Sequence, residues 1–241
     1  MKIKLMSKYF INSILFFSCC FLFAQNQTAT DSVVYKEKYG LRIGVDISKL
    51  IRTGFDENYS GFELVGDYRV SKRFFAAVEL GNEENTVDED FFNFTSKGSY
   101  IKVGFDYNTY ENWYGMQNSI SAGLRYGLSS FSQTVNSFTI NNRNQFFGEG
   151  NTPGTTDEIL REFDGLSSQW IEAVFAIKAE LFNNLYLGAS IRLNYLLGGK
   201  EEDIFPNLWS PGFNRITQDS KFGIGYNYSI TYLIPLYKTK K

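Results

Sequence analysis

No histidine occurs anywhere in the 241 residues of this chain. A Ser-His-Asp triad and any imidazole general base are therefore excluded, and with them the commonest route to hydrolysis and acyl transfer. Cysteine is nearly as scarce. Cys19 and Cys20 stand side by side near the N-terminus, so a chain cut after Ala24 has neither disulfide nor thiol chemistry. Without histidine or remaining cysteine, a zinc site has none of its usual ligands, and no cofactor is expected. Basic charge is not in excess either: 24 Lys and Arg face 26 Asp and Glu, which argues against a nucleic-acid partner. Beyond residue 24 no apolar run approaches the roughly 20 residues of a membrane-spanning helix.

What the N-terminus does have is an export signal. Lys2, Lys4 and Lys8 precede an almost wholly apolar run, Phe10–Phe23, and Ala24-Gln25 offers a small-residue cleavage point. These are the three parts of a secretory signal peptide. The run is too short for a spanning anchor. A lipoprotein would be cut before a cysteine and then turn polar, whereas Phe21-Leu22-Phe23 continues the apolar stretch. Residues 1–24 are expected to be removed, 25–38 to form a polar periplasmic tail, and 39–241 to fold. Losing three lysines takes the formal net charge from −2 to −5.

The folding part alternates apolar and polar residues with period 2, the signature of β-strands. Eight such stretches stand out: Tyr39–Lys49, Gly61–Val70, Arg73–Gly81, Lys97–Tyr107, Trp113–Ser129, Gln169–Phe182, Leu185–Leu196 and Lys221–Leu236. Their connections alternate long and short. Ser71-Lys72, Tyr110-Glu111-Asn112 and Asn183-Asn184 are brief, while Leu50–Tyr59, Asn82–Thr95, Ser130–Ser167 and the segment holding Pro206, Pro211 and Gly212 are long. That rhythm predicts an all-β, antiparallel up-and-down transmembrane β-barrel of eight strands, with short turns on the periplasmic side and long loops outside. Ten strands are the alternative if Phe131–Ile140 and a later segment add a hairpin. The 23 Phe, 16 Tyr and 3 Trp suit lipid-facing bulk and interface girdles.

Alternation alone does not say which face is inside. A soluble lipocalin-like barrel would turn its apolar face inward around a ligand. Two features point to the reverse. Gly44, Gly81, Gly104, Gly123, Gly127, Gly188, Gly223 and Gly225 all share the charged face, where they make room inside a narrow barrel. That face also balances seven bases, Arg42, Arg69, Arg73, Lys102, Arg125, Lys178 and Arg192, against seven acids, Asp46, Glu63, Asp67, Glu79, Asp106, Glu172 and Glu180. Buried charge is tolerable only when paired. An eight-stranded barrel is just wide enough for side chains to fill, so this network is expected to plug it.

Several stretches together resemble one family. They are Tyr35-Lys-Glu-Lys-Tyr-Gly-Leu-Arg-Ile-Gly-Val-Asp-Ile-Ser-Lys49, Leu80-Gly-Asn-Glu-Glu84, Thr95-Ser-Lys-Gly-Ser-Tyr100, Asn183-Asn-Leu-Tyr-Leu-Gly188, Pro211-Gly-Phe-Asn-Arg215, Phe222-Gly-Ile-Gly225 and Tyr232-Leu-Ile-Pro-Leu-Tyr-Lys238. The chain is similar to uncharacterised outer-membrane barrel proteins of the Bacteroidota, a domain of unknown function. A signal ending in Phe-Ala-Gln is similar to exported proteins of that phylum. The resemblance covers essentially the whole mature chain and implies location and fold, but no activity and no catalytic residues.

Outside the strands, Glu83, Glu84, Asp88, Glu89 and Asp90 form an acidic cluster. It is read either as a possible cation-binding loop, bridging to anionic lipopolysaccharide, or as a solvated acidic loop. The spacing is not that of an EF-hand. The longest loop, with Phe146-Phe147 and Asn151-Thr-Pro-Gly154, is the best candidate for recognition, because loops on a rigid scaffold carry function. Asp31-Ser32-Val33 resembles a short O-glycosylation signal. A carboxylate-only mechanism remains conceivable, for instance on Glu172 and Glu180, but such residues in a charged barrel interior are more often structural. The expectation is a small, closed, non-catalytic outer-membrane barrel with a structural or surface-interaction role. Its partners would be outer-membrane lipid, lipopolysaccharide and possibly an envelope protein bound through the outer loops. A narrow channel and a soluble carrier are the alternatives.

Overall fold

The computed structural model describes residues 36–110, 117–141, 151–217 and 220–240. The proposed signal, most of the tail with Asp31-Ser32-Val33, the turn at Glu111-Asn112 and the loop residues Phe146-Phe147 lie outside the described residues.

The described chain is all-β with one short helix. In order come β1 (Lys36–Asp46), α1 (Ile47–Phe55), β2 (Tyr59–Arg69), β3 (Phe74–Glu89), β4 (Phe92–Asn108), β5 (Ser119–Asn141), β6 (Asn151–Pro153), β7 (Glu162–Phe182), β8 (Leu185–Lys200), β9 (Trp209–Ser210), β10 (Asn214–Arg215) and β11 (Phe222–Lys240). Eight of them pair antiparallel, each with its neighbour, in the order β1-β2-β3-β4-β5-β7-β8-β11. Pairing of β11 with β1, from Lys36↔Lys240 to Asp46↔Ser229, closes the ring. The ring has eight strands rather than ten: β6 only extends the tip of β5, and β9 with β10 forms a separate two-residue hairpin. Asn184, at φ 67, takes the left-handed conformation of the β7–β8 turn that a two-residue hairpin needs and asparagine tolerates.

Strand bounds differ from the sequence reading at the end opposite these turns. β3 and β4 continue to a tight turn at Asp90-Phe91, so Asn82–Thr95 is a projecting hairpin and not a loop. β5 and β7 likewise absorb much of the expected connection between Ser130 and Ser167. The reason is an inversion of chemistry along one strand. In β5, Ile120, Leu124, Tyr126 and Leu128 face outward and Ser121, Arg125 and Ser129 face inward. Two residues further the same faces carry Ser130 and Asn136 outside and Phe131 and Val135 inside. A strand whose apolar residues change sides reads as a break in pattern, yet its backbone continues.

β1 stops early, at Asp46. Its carboxylate accepts from the Ser48 backbone N–H at 2.8 Å and from the Ser48 hydroxyl at 2.5 Å, capping α1 where alternation suggested strand to Lys49. The helix docks through its polar side. The Thr53 hydroxyl accepts from the Gly61 N–H at 2.8 Å, and Arg52 donates to Asn85 Oδ1 at 3.1 Å. No residue of α1 is buried.

Candidate functional site

The inner face of the lower ring is a network of ion pairs drawn from six strands. Lys102 Nζ lies 3.2 Å from Glu172 and 3.7 Å from both Glu79 and Glu63. Arg192 grips Glu79 with both terminal nitrogens, at 2.5 and 3.1 Å, and reaches Glu172 at 3.2 Å. Arg125 bonds Asp106 at 2.9 Å and approaches Glu79 at 3.5 Å. Trp170 donates its indole N–H to Glu172 at 2.7 Å, while Tyr100 and Asn227 donate to Glu63. Towards the short-turn end a second group forms: Asp67 accepts from Arg42 at 2.6 Å and from Lys178 at 2.5 Å. Charged groups out of water are stabilised only by such mutual pairing. Two cavities within this part of the interior measure about 20 and 40 Å³, room for a water or two.

Ten of the fourteen interior residues singled out from the sequence thus meet as pairs: Arg42, Glu63, Asp67, Glu79, Lys102, Asp106, Arg125, Glu172, Lys178 and Arg192. Four take other places. Asp46 is buried but caps α1. Arg69 sits at the β2–β3 turn, bonded to the Ser71 and Lys72 carbonyls and 4.5 Å from the Tyr39 ring. Glu180 is half-buried, accepting from the Asn184 N–H and pairing with Lys38 at 3.5 Å. Arg73 requires a correction: it is exposed and bonds Tyr107, because it precedes the first residue of β3 and its side chain leaves the ring at the turn.

The acidic cluster is dispersed by the β3–β4 hairpin. Glu83 turns inward and is fully buried against Lys49 and Tyr59. Glu84 faces out to Lys97 at 2.9 Å, Glu89 meets Arg215 at 3.1 Å, and Asp88 accepts from Asn93. Asp90 lies in the turn itself. Among the described residues no three acidic groups converge as a metal site would require. Alternation along β3 separates neighbours in sequence onto opposite faces.

Sequence reasoning missed the roof of this interior. The segment before β11 folds back into the ring mouth, burying Trp209, Ser210, Pro211 and Phe213. The Gly212 N–H donates to Glu83 at 2.8 Å, Ser129 and Ser210 share a hydroxyl bond of 2.8 Å, and Ser96 donates to the Trp209 carbonyl. Phe213 packs against Tyr100 and Trp170. Gly212 holds φ +80, and a Cβ there would lie 2.6 Å from the Tyr100 ring, so only glycine serves. Gly127 faces the Trp170 indole, which occupies the space its Cβ would need. Above, Phe94, Phe163, Phe131 and Leu166 close an aromatic layer around Phe205 and Trp209. Pro211-Gly212 was the visible signal, though it reads equally as a plain turn. Lys49, on α1, reaches into the ring mouth, bonding Glu83 and lying 3.9 Å from Glu63.

Residues 6–239 match the domain of unknown function DUF6048. The chain belongs to that family. No curated protein and no solved structure matches it. Family membership brings no assigned activity, so the function must be argued from the geometry.

Proposed function

We propose that this DUF6048 chain is a small, closed outer-membrane β-barrel of a Gram-negative bacterium of the Bacteroidota kind, exported by residues 1–24 and acting without catalysis as a structural or surface-interaction protein. The observation that carries this reading is the outward apolar belt shared by all eight ring strands over an interior of ion pairs. Ile43, Leu64, Val78, Val103, Leu124, Phe175, Ile191 and Ile230, one from each strand, are all exposed large hydrophobics. A soluble protein does not spread such a belt around itself. On β7 it runs from Ile171 to Leu181; at roughly 3.3 Å per residue and a tilt near 40°, that covers about 25 Å, the height of an outer-membrane band. Tyrosines mark its edges, with Tyr126 bonded to Gln169 at one and Tyr39 stacked on Tyr237 at the other. Polar residues outside and aromatics inside then belong to the part standing clear of the bilayer, which would meet lipopolysaccharide and an envelope partner.

Separation of the envelope by density, followed by recording of the purified full chain in planar bilayers, tests both halves. Recovery in the outer-membrane fraction with no conductance steps is expected. Recovery in the soluble periplasm overturns the membrane reading, and steady conductance overturns the closed interior in favour of a narrow channel.

A further inference from the structure

The wall of the ring is not uniform. Because β1 leaves the sheet at Asp46, opposite Ser229, the stretch Phe222–Tyr228 of β11 pairs with β8 on one side and, among the described residues, with no ring strand on the other. Its outward side chains stand unusually clear. Phe222, Ile224 and Tyr226 are 72, 76 and 70 % exposed, against 41 % for Ile230 and 45 % for Ile234, where β1 lies alongside. An open strand edge is not tolerated in hydrocarbon, because its N–H and C=O groups need a polar partner.

What borders the gap is α1, oriented in an unusual way. Lys49, Arg52 and Thr53 turn towards the ring, while Leu50, Ile51 and Phe55 face outward and exposed. That is the reverse of a helix on a soluble surface and the arrangement of one lying against lipid. Between α1, the β9–β10 hairpin and the edge of β11 lies a cavity of about 350 Å³. Lys49, Arg52 and Arg215 line it, among the described residues without a carboxylate, and Ile224 and Tyr226 form its apolar wall. Lys49 is committed to Glu83. Arg52 and Arg215 each hold an exposed carboxylate through one contact, Asp56 at 3.2 Å and Glu89 at 3.1 Å. Such pairs are weak and exchangeable; Arg52 also donates to Asn85 at 3.1 Å, and the remaining donors of the five on each guanidinium are left for a ligand.

We propose that this lateral cleft takes the anionic phosphate headgroup of a membrane lipid, whose acyl chains lie along Ile224 and Tyr226 on the outside of β11. The proposal rests on the membrane reading above. A lipid is favoured over a soluble anion because the cleft opens sideways onto the apolar belt, with the apolar side of α1 facing the same way.

The test offers the purified full chain nanodiscs of phosphatidylcholine with a minor share of phosphatidylglycerol, and counts retained lipid by native mass spectrometry. Selective retention of phosphatidylglycerol is expected. The R52Q/R215Q variant should lose it by about tenfold or more, the scale of losing charge-assisted hydrogen bonds. Ser48→Glu, which adds a carboxylate to the cleft lining by a different route, should lose it as well, with the heat-dependent gel mobility of both variants unchanged. Undiminished retention in both variants overturns the proposal, as does binding of inorganic phosphate with no lipid retained. Vesicle flotation keeps the two readings apart. A chain that fails to float sinks the membrane reading and this site with it, whereas a floating chain with no phosphatidylglycerol preference sinks the site alone.

Discussion

The two ends of β5 carry opposite chemistry on the same face. From Ser119 to Ser129 the inner side is serine, glycine and Arg125, and the outer side is aliphatic and aromatic; from Ser130 to Asn136 the inner side is Phe131, Gln133 and Val135, and the outer side is serine, threonine and asparagine. β4 repeats the change, with Lys102 and Asp106 inside below and Phe94 inside above. The strand runs on across both regions, paired with β4 on one side and with β7, through a register shift at Phe131–Gln133, on the other. On the membrane reading proposed above, what differs is the surroundings of each half, and the polarity of a strand face then follows its medium rather than its distance from the molecular centre. Below, charges must find partners within the ring. Above, an ordinary apolar core forms beneath a polar skin.

Disrupting the lower region should be the most costly single change. Arg192→Leu leaves Glu79 and Glu172 short of their strongest partner, and should destabilise the protein by about 3–5 kcal/mol, the cost of breaking a buried ion pair from one side. Unfolding in denaturant from detergent micelles measures it, and a loss under 1 kcal/mol would mean the interior is wetter than its small cavities suggest. Next comes a direct contrast of the two outer faces. Leu124→Arg, within the belt, should cost about 2–4 kcal/mol on insertion into bilayers. Ser130→Arg, a few residues along the same face, should stay within about 0.5 kcal/mol. Equal effects at both positions would erase the boundary between the regions. A smaller loss than that of Leu124→Arg is expected at the roof that joins them. Gly212→Ala forces a side chain into a left-handed conformation against Tyr100, and should cost about 1–3 kcal/mol. Limited proteolysis between Lys200 and Arg215 reads this as loosening of the roof, and unchanged cleavage would count against its role as a fixed lid.

Much of the lower region was legible in the chain because strand alternation is a local, period-2 property. Gly188, Ser190, Arg192 and Asn194 sort themselves from Leu187, Ala189, Ile191 and Leu193 without reference to anything distant. The upper region was not legible for the same reason. Asn82, Glu84, Thr86 and Asp88 look like an acidic loop until β4 pairs with them residue by residue. The helix was hidden as well. Ile47-Ser48-Lys49 continues the alternation of β1, and only the Asp46 cap and the polar docking of Lys49, Arg52 and Thr53 turn it.

By itself the sequence determined the eight alternating stretches and the division of residues between two faces, which depend on neighbours two positions away, and their antiparallel order, which follows from the rhythm of short and long connections. Tertiary structure alone decided which charge meets which. Arg192 finds Glu79, and Lys178 finds Asp67, across more than a hundred residues. It also decided that Glu83 turns inward to Lys49, that Gly212 caps it, and that the wall opens where β1 gives way to α1. Those outcomes depend on closing the ring, which brings distant strands within reach of one another, and no local pattern encodes that distance.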